Sequence, residues 1–207
     1  EPAAAIAHQH RKTTRRAWTA PRYGPAVLFL AELDLLLFGF PNDPKLDGIA
    51  AVSQPEQVLE RLRGRAALGG FEPVRCESTA VKYVPGKRLV MRHRLGDAAG
   101  HHLLLYSKTY AHEGGEAIHA VQRALWDASQ GDPAAFACPQ PVAYLPAERT
   151  LFLRALPGTA ALTSLDAATL PARMQRAGRG LAHLHTQTVA GLEPWRDADE
   201  LRNFTKA

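Results

Sequence analysis

The sequence predicts an α+β fold: a five-stranded antiparallel sheet with one helix inserted after its third strand, preceded by a helical extension and followed by further helices. Three observations predict this arrangement. Residues 73–110 carry three consecutive strand-like segments, residues 113–129 carry a helical one, and residues 139–158 carry two more strand-like segments. The chain has 207 residues, of which 46% are hydrophobic, so it is long and apolar enough to bury a hydrophobic core.

The first third of the chain is predicted to be helical. Between residues 26 and 40, apolar residues recur at the spacing of a helix. The run PNDP at residues 41–44 is typical of a turn, so we expect the helix to end there. The apolar residues that carry this prediction are Leu33, Leu36, Leu37 and Phe40.

A second helix is predicted directly after this turn. Ser53 followed by Glu56 three residues later matches a capping box, in which two side chains satisfy the free amides of a helix start. Gly64 is expected to close the helix. Its apolar stripe consists of Val58, Leu59 and Leu62.

The strands show the alternation typical of a sheet with one buried face. In the second strand, KRLVMRHRL, the residues fall into two sets that alternate along the strand and therefore lie on opposite faces of the sheet. Pro85 and Gly86 form the turn before this strand, and residues 96–100 form the turn after it. The alternating sets are Leu89, Met91, His93 and Leu95 against Arg88, Val90, Arg92 and Arg94.

The helical pattern returns after Pro157 and Gly158. The segment ARMQRAGRGLAHLHTQT carries apolar residues at three- and four-residue spacing, which predicts an amphipathic helix that faces a core. These residues are Met174, Ala177, Leu181 and Leu184. We therefore divide the chain into a basic arm with a helical extension (1–65), a sheet domain (66–158) and the helices of residues 159–207.

The positive charge is concentrated at the start of the chain. The formal net charge is +5, and residues 1–22 hold five basic residues against Glu1, which gives +4 and leaves +1 for the rest. Such an arm can contact phosphates, but no aromatic interleaving or binding motif accompanies it. We favour a solvated leader and do not expect nucleic-acid binding. The alternative is a protein whose arm binds an anionic partner.

Cysteine usage and hydropathy predict a cytoplasmic protein without a membrane partner. Cys76 and Cys138 form no CxxC motif, which favours a reducing compartment. Residues 26–40 are apolar but shorter than the roughly 20 residues that a transmembrane helix needs. The nine histidines lack the spacing of zinc ligands. The chain opens without methionine and stops at NFTKA, so we expect it to be a fragment.

The order of these elements resembles the aminoglycoside phosphotransferase and choline kinase branch of the kinase-like fold. Four segments carry the resemblance: YVPGKRLVMRHRL as the first hairpin, LYSK as the third strand, LFLRALPGTAL as the strand that enters the hinge, and GRGLAHLH as a helix of the second lobe. The similarity covers residues 73–190. It implies a nucleotide-binding N-terminal lobe with a helix like αC of kinases, followed by the start of a second lobe.

The resemblance assigns Lys108, at the end of the third strand, to the α- and β-phosphates of ATP. Tyr106 is expected on the same face because strand side chains alternate, and an aromatic at this place stacks on adenine in the family. Glu116, or Glu113 before it, would orient the lysine, and the sequence leaves both open. Each residue has an ordinary alternative: an exposed strand lysine, a half-buried tyrosine, or a carboxylate at a helix N-terminus.

Two further segments receive roles from the same resemblance. Gly86 permits close approach of the backbone while Lys87 and Arg88 bring two cations, so their turn is assigned to the loop that covers the nucleotide. The same residues also suit a plain hairpin turn. Ala155 and Leu156 lie in the implied hinge, where backbone groups meet the edge of adenine.

The catalytic residues of the family are not found in this sequence. They are an aspartate with an asparagine five residues later, and a second aspartate that binds Mg²⁺. In WRDADELRN the spacing differs, so the resemblance places the catalytic loop and the Mg²⁺ ligands beyond Ala207. We expect ATP as the cofactor, a small-molecule hydroxyl substrate for the full-length protein, and no turnover by this chain alone.

Two expectations follow for the chain itself. The alternative to a phosphotransferase is a non-catalytic module of the pseudokinase type, which binds a nucleotide or serves as a scaffold. The fragment is also expected to self-associate, because the helix around residues 174–184 would present an apolar stripe to solvent.

Overall fold

The computed structural model describes residues 17–131, 136–158, 166 and 168–189. The described residues fall into two compact units. The first comprises residues 17–119 and 139–157, and it contains the sheet and the cavity described below. The second comprises the described parts of residues 120–138 and 158–189.

The predicted helix at residues 26–40 is wrong: this segment forms a β-hairpin. Strands β1 (Val27–Leu30) and β2 (Leu35–Phe38) pair in antiparallel fashion around a turn of 3-10 helix at Ala31–Leu33. Asp34 ends that turn with a φ of 47°, a left-handed conformation that aspartate tolerates better than most residues. Since the run is apolar at almost every position, its pattern fits a strand as well as a helix.

The second predicted helix forms, but its start differs. Helix α1 (Ile49–Ser53) ends where the capping box was expected, and α2 (Pro55–Leu62) begins after Gln54 without a side-chain cap. Proline suits the first helical position because its missing amide hydrogen would have no partner there. Pro55 therefore fixes the helix start, and the prediction that Ser53 caps it is wrong.

The five-stranded antiparallel sheet is confirmed. Its strand order is β3-β4-β5-β7-β6, and every neighbouring pair is antiparallel. A bulge at Val81 interrupts the pairing of β3 with β4. The strands are β3 (Arg75–Val84), β4 (Arg88–Gly96), β5 (His102–Tyr110), β6 (Pro141–Leu145) and β7 (Thr150–Arg154).

The alternation predicted for β4 is confirmed. One face of the sheet, the core face, packs against α1 and α2, and the opposite face is called the open face below. On β4 the core face carries Leu89, Met91, His93 and Leu95, all of them buried, while the other set of residues lies on the open face. The helices contribute Ile49, Val52, Val58 and Leu62 to the same core.

A buried histidine lies in the middle of the core face. The Nδ1 atom of His93 lies 2.9 Å from the Ser78 hydroxyl, and its Nε2 atom lies 2.8 Å from the Ser107 hydroxyl. Its ring also packs against Phe152, with 5.4 Å between the ring centroids. Burial lowers the pKa of His93 to about 4, so the imidazole is neutral at physiological pH.

The two long predicted helices are confirmed in position. Helix α3 spans Gly115–Ser129 and α4 spans Leu170–His185. Contrary to the predicted core contact, α4 has no buried residue among those that the structure describes, and Met174 is 59% exposed and Leu181 53% exposed. Self-association through this stripe stays a prediction.

Two simpler properties concern the described residues as a whole. Both cysteines are free thiols. None of the described helices combines the length and the apolar character that crossing a bilayer requires.

Candidate anion-binding site

A cavity of about 700 Å³ lies at the end of the open face, where the β3–β4 turn meets the end of β5. This volume falls within the range of about 300–1,000 Å³ that is typical of small-molecule sites. The lining combines the turn, the last residues of β5, the loop after it and one residue of α3. The residues are Val84, Gly86, Lys87, Arg88, Lys108, Tyr110, Ala111, His112 and Ile118.

The turn that lines the cavity requires glycine. Gly86 has a φ of +66°, a left-handed conformation that other residues rarely adopt. The Lys87 amide donates to the carbonyl of Val84 over 3.0 Å, which closes the turn, and the Ala111 amide donates to the carbonyl of Lys87 over 3.2 Å. The second bond ties the turn to the loop after β5, so both sides of the cavity are joined through the backbone.

Lys108 extends from β5 on the open face. Its neighbours across the sheet are Val90 on β4 and Leu151 on β7. The ammonium group lies 4.8 Å from the centroid of the Tyr110 ring, a cation–π contact. Tyr110 itself is buried, and burial together with the nearby Tyr144 raises the pKa of its hydroxyl. The lysine is thus held against an aromatic wall of the cavity.

The charge of the lining has one sign. Lys87, Arg88 and Lys108 are its cations, and no aspartate or glutamate belongs to the lining. Within the described part of the chain, none of these three side chains has a carboxylate oxygen within 4.0 Å. Unpaired cations in a concave, partly apolar site create a positive potential that attracts anions.

Neither of the two predicted glutamates reaches Lys108. Glu116 lies exposed in the first turn of α3. Glu113 is 90% exposed, and its carboxylate lies 3.8 Å from the guanidinium of Arg149. On α3 it is Ile118 that lines the cavity. The structure therefore supports neither glutamate as the residue that orients Lys108.

Helix α3 approaches the sheet closely at its first residue. A Cβ atom built on Gly115 would lie 2.5 Å from the ring of Tyr144 on β6. Tyr144 in turn stacks on His119, one turn further along the helix. The glycine lets the helix begin directly beside the strand, which brings Ile118 to the cavity.

The other predicted site residues lie outside the cavity lining. Tyr106 is half-buried on the open face, with Arg92 across from it on β4, two residues before Lys108. The amide of Ala155 donates to the carbonyl of Leu104 over 2.9 Å, so it belongs to the sheet's hydrogen bonding. Leu156 is exposed after the end of β7.

Three residues of this region were missed by the sequence reasoning. Tyr110 follows Lys108 at the two-residue spacing that shares a strand face, so alternation alone indicates its position. His112 lies beyond the strand, and no pattern marks it. Asp43 was read only as part of a turn, although its carboxylate bonds the Gly86 amide over 2.7 Å.

Within the described ranges, no group of three histidine, cysteine, aspartate or glutamate side chains is arranged to hold a metal ion. Comparison with family models, with curated proteins and with solved structures finds no match to the chain. We therefore infer the function from the cavity itself.

Proposed function

We propose that this cavity binds the phosphates of ATP, and that the protein is the nucleotide-binding lobe of a small-molecule phosphotransferase. The observation that carries the proposal is a set of three cations around one cavity, none of them paired with a carboxylate of the described residues. Lys108 lies on the third strand of the sheet, and a glycine turn joins the first two. Kinase-type sites use a lysine on the third strand and a glycine loop over the phosphates in the same way.

The roles of the residues follow from their chemistry. Lys108 donates charge-assisted hydrogen bonds to phosphate oxygens once it exchanges the Tyr110 ring for the ligand. Lys87 and Arg88 approach the same phosphates from the turn, where the guanidinium of Arg88 suits two oxygens at once. Tyr106 offers a flat ring to the base further along the open face. The hydroxyl acceptor contacts residues that lie outside the cavity.

Phosphoryl transfer also requires a catalytic base and Mg²⁺. The residues around the cavity do not fit the metal, because the lining supplies cations and neutral groups but no carboxylate. ATP supplies the transferable phosphoryl group, and the described residues bind and orient its phosphates.

A second candidate is a module that binds a nucleotide without transferring its phosphate. It is favoured by one contact: Lys108 packs on the Tyr110 ring, where an active kinase-type site would pair it with a glutamate. Turnover separates the two candidates, since both predict binding but only the first predicts ADP formation with a hydroxyl acceptor.

The proposal is tested with inorganic tripolyphosphate, which carries the charge of ATP without its base. Because the lining holds no metal ligand to help neutralise the phosphates, we expect weak binding, with a Kd near millimolar, or about 4 kcal/mol. Lys108→Met is expected to weaken binding about tenfold or more, since it removes one charge-assisted contact. Arg63→Met is the matched control, because it removes an exposed positive charge just after α2, outside the cavity. Equal affinities for Lys108→Met and Arg63→Met would contradict the proposal.

A further inference from the structure

A buried carboxylate connects the N-terminal segment to the turn that lines the cavity. Asp43 is only 2% exposed. One of its oxygens, Oδ2, accepts hydrogen bonds from the Gly86 amide over 2.7 Å and from the Tyr83 hydroxyl over 2.8 Å. The other, Oδ1, accepts from the amides of Lys45 and Leu46 over 2.8 and 3.1 Å. All four partners are donors, which matches the acceptor-only ionised carboxylate.

The carboxylate is itself held by the core. Leu46, whose amide it binds, is buried with α1 and α2. On the other side, Phe40 makes an edge contact with the ring of Tyr83, with 6.0 Å between the centroids. Burial and then the hydrogen bond to Asp43 raise the pKa of Tyr83, so its hydroxyl stays protonated and donates. The turn is therefore joined to the rigid core through a side chain about 40 residues away in sequence.

We propose that Asp43 is a positioning residue of the anion site, which fixes the turn so that Lys87 and Arg88 face the cavity. This inference rests on the proposed function. A turn at the end of a hairpin is ordinarily among the more mobile parts of a sheet, and ordering it on binding costs conformational entropy. Because Asp43 orders the turn when the chain folds, binding does not have to order it. Binding then uses side chains that are already in place.

The same bond determines which groups of the turn meet the ligand. In glycine-rich phosphate loops, the backbone amides point at the phosphate. Here the Gly86 amide is bound to Asp43 and the Lys87 amide to Val84, so both are withheld from an anion. Recognition of phosphate at this turn falls to the side chains of Lys87 and Arg88.

The turn of the next hairpin supplies an internal comparison. The amide of Gly100 bonds the carbonyl of Asp97, over 3.4 Å, within its own exposed turn. Amide hydrogen exchange of the wild-type chain measures the exchange rates of both glycine amides in one sample. We expect the Gly86 amide to exchange at least about tenfold more slowly than the Gly100 amide, because opening it requires breaking its bond to the buried carboxylate of Asp43. Similar rates for the two amides would overturn the proposal without any variant.

Variants test the effect on binding. Asp43→Ala is expected to abolish the extra protection of Gly86 and to weaken tripolyphosphate binding roughly three- to tenfold, the cost of ordering a released turn. In wild type each carboxylate oxygen of Asp43 accepts from two donors, and Asp43→Asn keeps only one of the two oxygens. The loss of affinity in Asp43→Asn should therefore lie between those of wild type and Asp43→Ala. Tyr83→Phe is the matched control, because it removes one donor and keeps the bond to Gly86. It should change affinity less than about twofold.

The outcomes separate this inference from the proposed function. Loss of Gly86 protection with unchanged affinity in the Asp43 variants would overturn the positioning role. If wild type fails to bind tripolyphosphate, the proposed function fails, and the exchange rates still decide whether Asp43 holds the turn. If Asp43→Ala does not fold, Asp43→Asn and the two wild-type glycines carry the test.

Discussion

The two faces of strand β4 differ completely although their residues alternate in sequence. The core face buries three apolar side chains and His93, and it packs on the helices of the N-terminal segment. The open face carries three arginines and one valine, and it ends in a cavity that three cations line. The core face therefore stabilises the fold, and the open face carries the cavity that we propose binds anions. Changes on one face should leave the property of the other intact.

The largest expected effect is a loss of stability from the core face. Phe152 is fully buried beside His93, and Phe152→Ala should lower the free energy of unfolding by about 3–5 kcal/mol, through lost burial and the cavity left behind. Urea unfolding measures it. Leu153→Ala, one residue on and half-buried on the open face, should cost clearly less. Equal costs for the two variants would contradict the division of the sheet into two faces.

The buried histidine makes the core face sensitive to acid. Its folded pKa of about 4 lies below the unfolded value near 6.5, so the unfolded state binds the proton first. Stability from the neutral imidazole is complete above pH 6.5 and is lost as the pH falls toward 4, by about 3 kcal/mol in all. Unfolding free energies between pH 7 and pH 4 measure this loss. His93→Gln should flatten this part of the profile, and an unchanged slope would show that other groups cause it.

The cations of the turn should govern binding and its salt dependence. Removing both charges in Lys87→Gln with Arg88→Gln should weaken tripolyphosphate binding about tenfold at low ionic strength. At high salt the difference from wild type should shrink, because screening reduces the contribution of exposed charges. Thermal unfolding should remain near that of wild type, since both side chains are exposed. A salt-independent deficit would point to a damaged turn.

The smallest expected effect concerns the two glutamates near α3. Glu113→Gln and Glu116→Gln should each change tripolyphosphate affinity less than about twofold, because neither carboxylate contacts Lys108 and exposed ion pairs contribute little. Titration calorimetry under the conditions used for Lys108→Met gives the comparison. A loss in one variant that approaches that of Lys108→Met would show that this glutamate closes on the lysine when the ligand binds.

Local patterns in the sequence predicted much of this fold. The alternation along β4, the glycine turn and the helix after Lys108 were all visible, because each depends on neighbouring residues. The hairpin at residues 26–40 was not, since a run that is apolar on both faces fits two periods equally well. The start of α2 at Pro55 was set by one residue that outweighed the apparent capping pattern.

Local sequence patterns did not predict the contacts between residues that are distant in sequence. The bond from Asp43 to Gly86 joins residues 43 positions apart, and nothing in PNDP indicates its partner. His93 meets Ser78 and Ser107 only because three strands lie side by side. For the candidate site, the sequence therefore indicated the cations Lys108, Lys87 and Arg88. Asp43 and Tyr110, which contact the turn and Lys108, emerged only from the fold.

The central claim is that the open face binds phosphate through Lys108 and the adjoining turn. Its most direct test is a titration of the backbone amide shifts with tripolyphosphate and with ATP. We expect saturable shifts at residues 84–88 and 108–112 with both ligands, and further shifts at Tyr106 and residues 154–158 with ATP alone, where the base would lie. Lys108→Met should reduce all of them at equal ligand concentration. If residues 84–88 and 108–112 do not move even at high concentrations of either ligand, the cavity does not bind phosphate and the account fails.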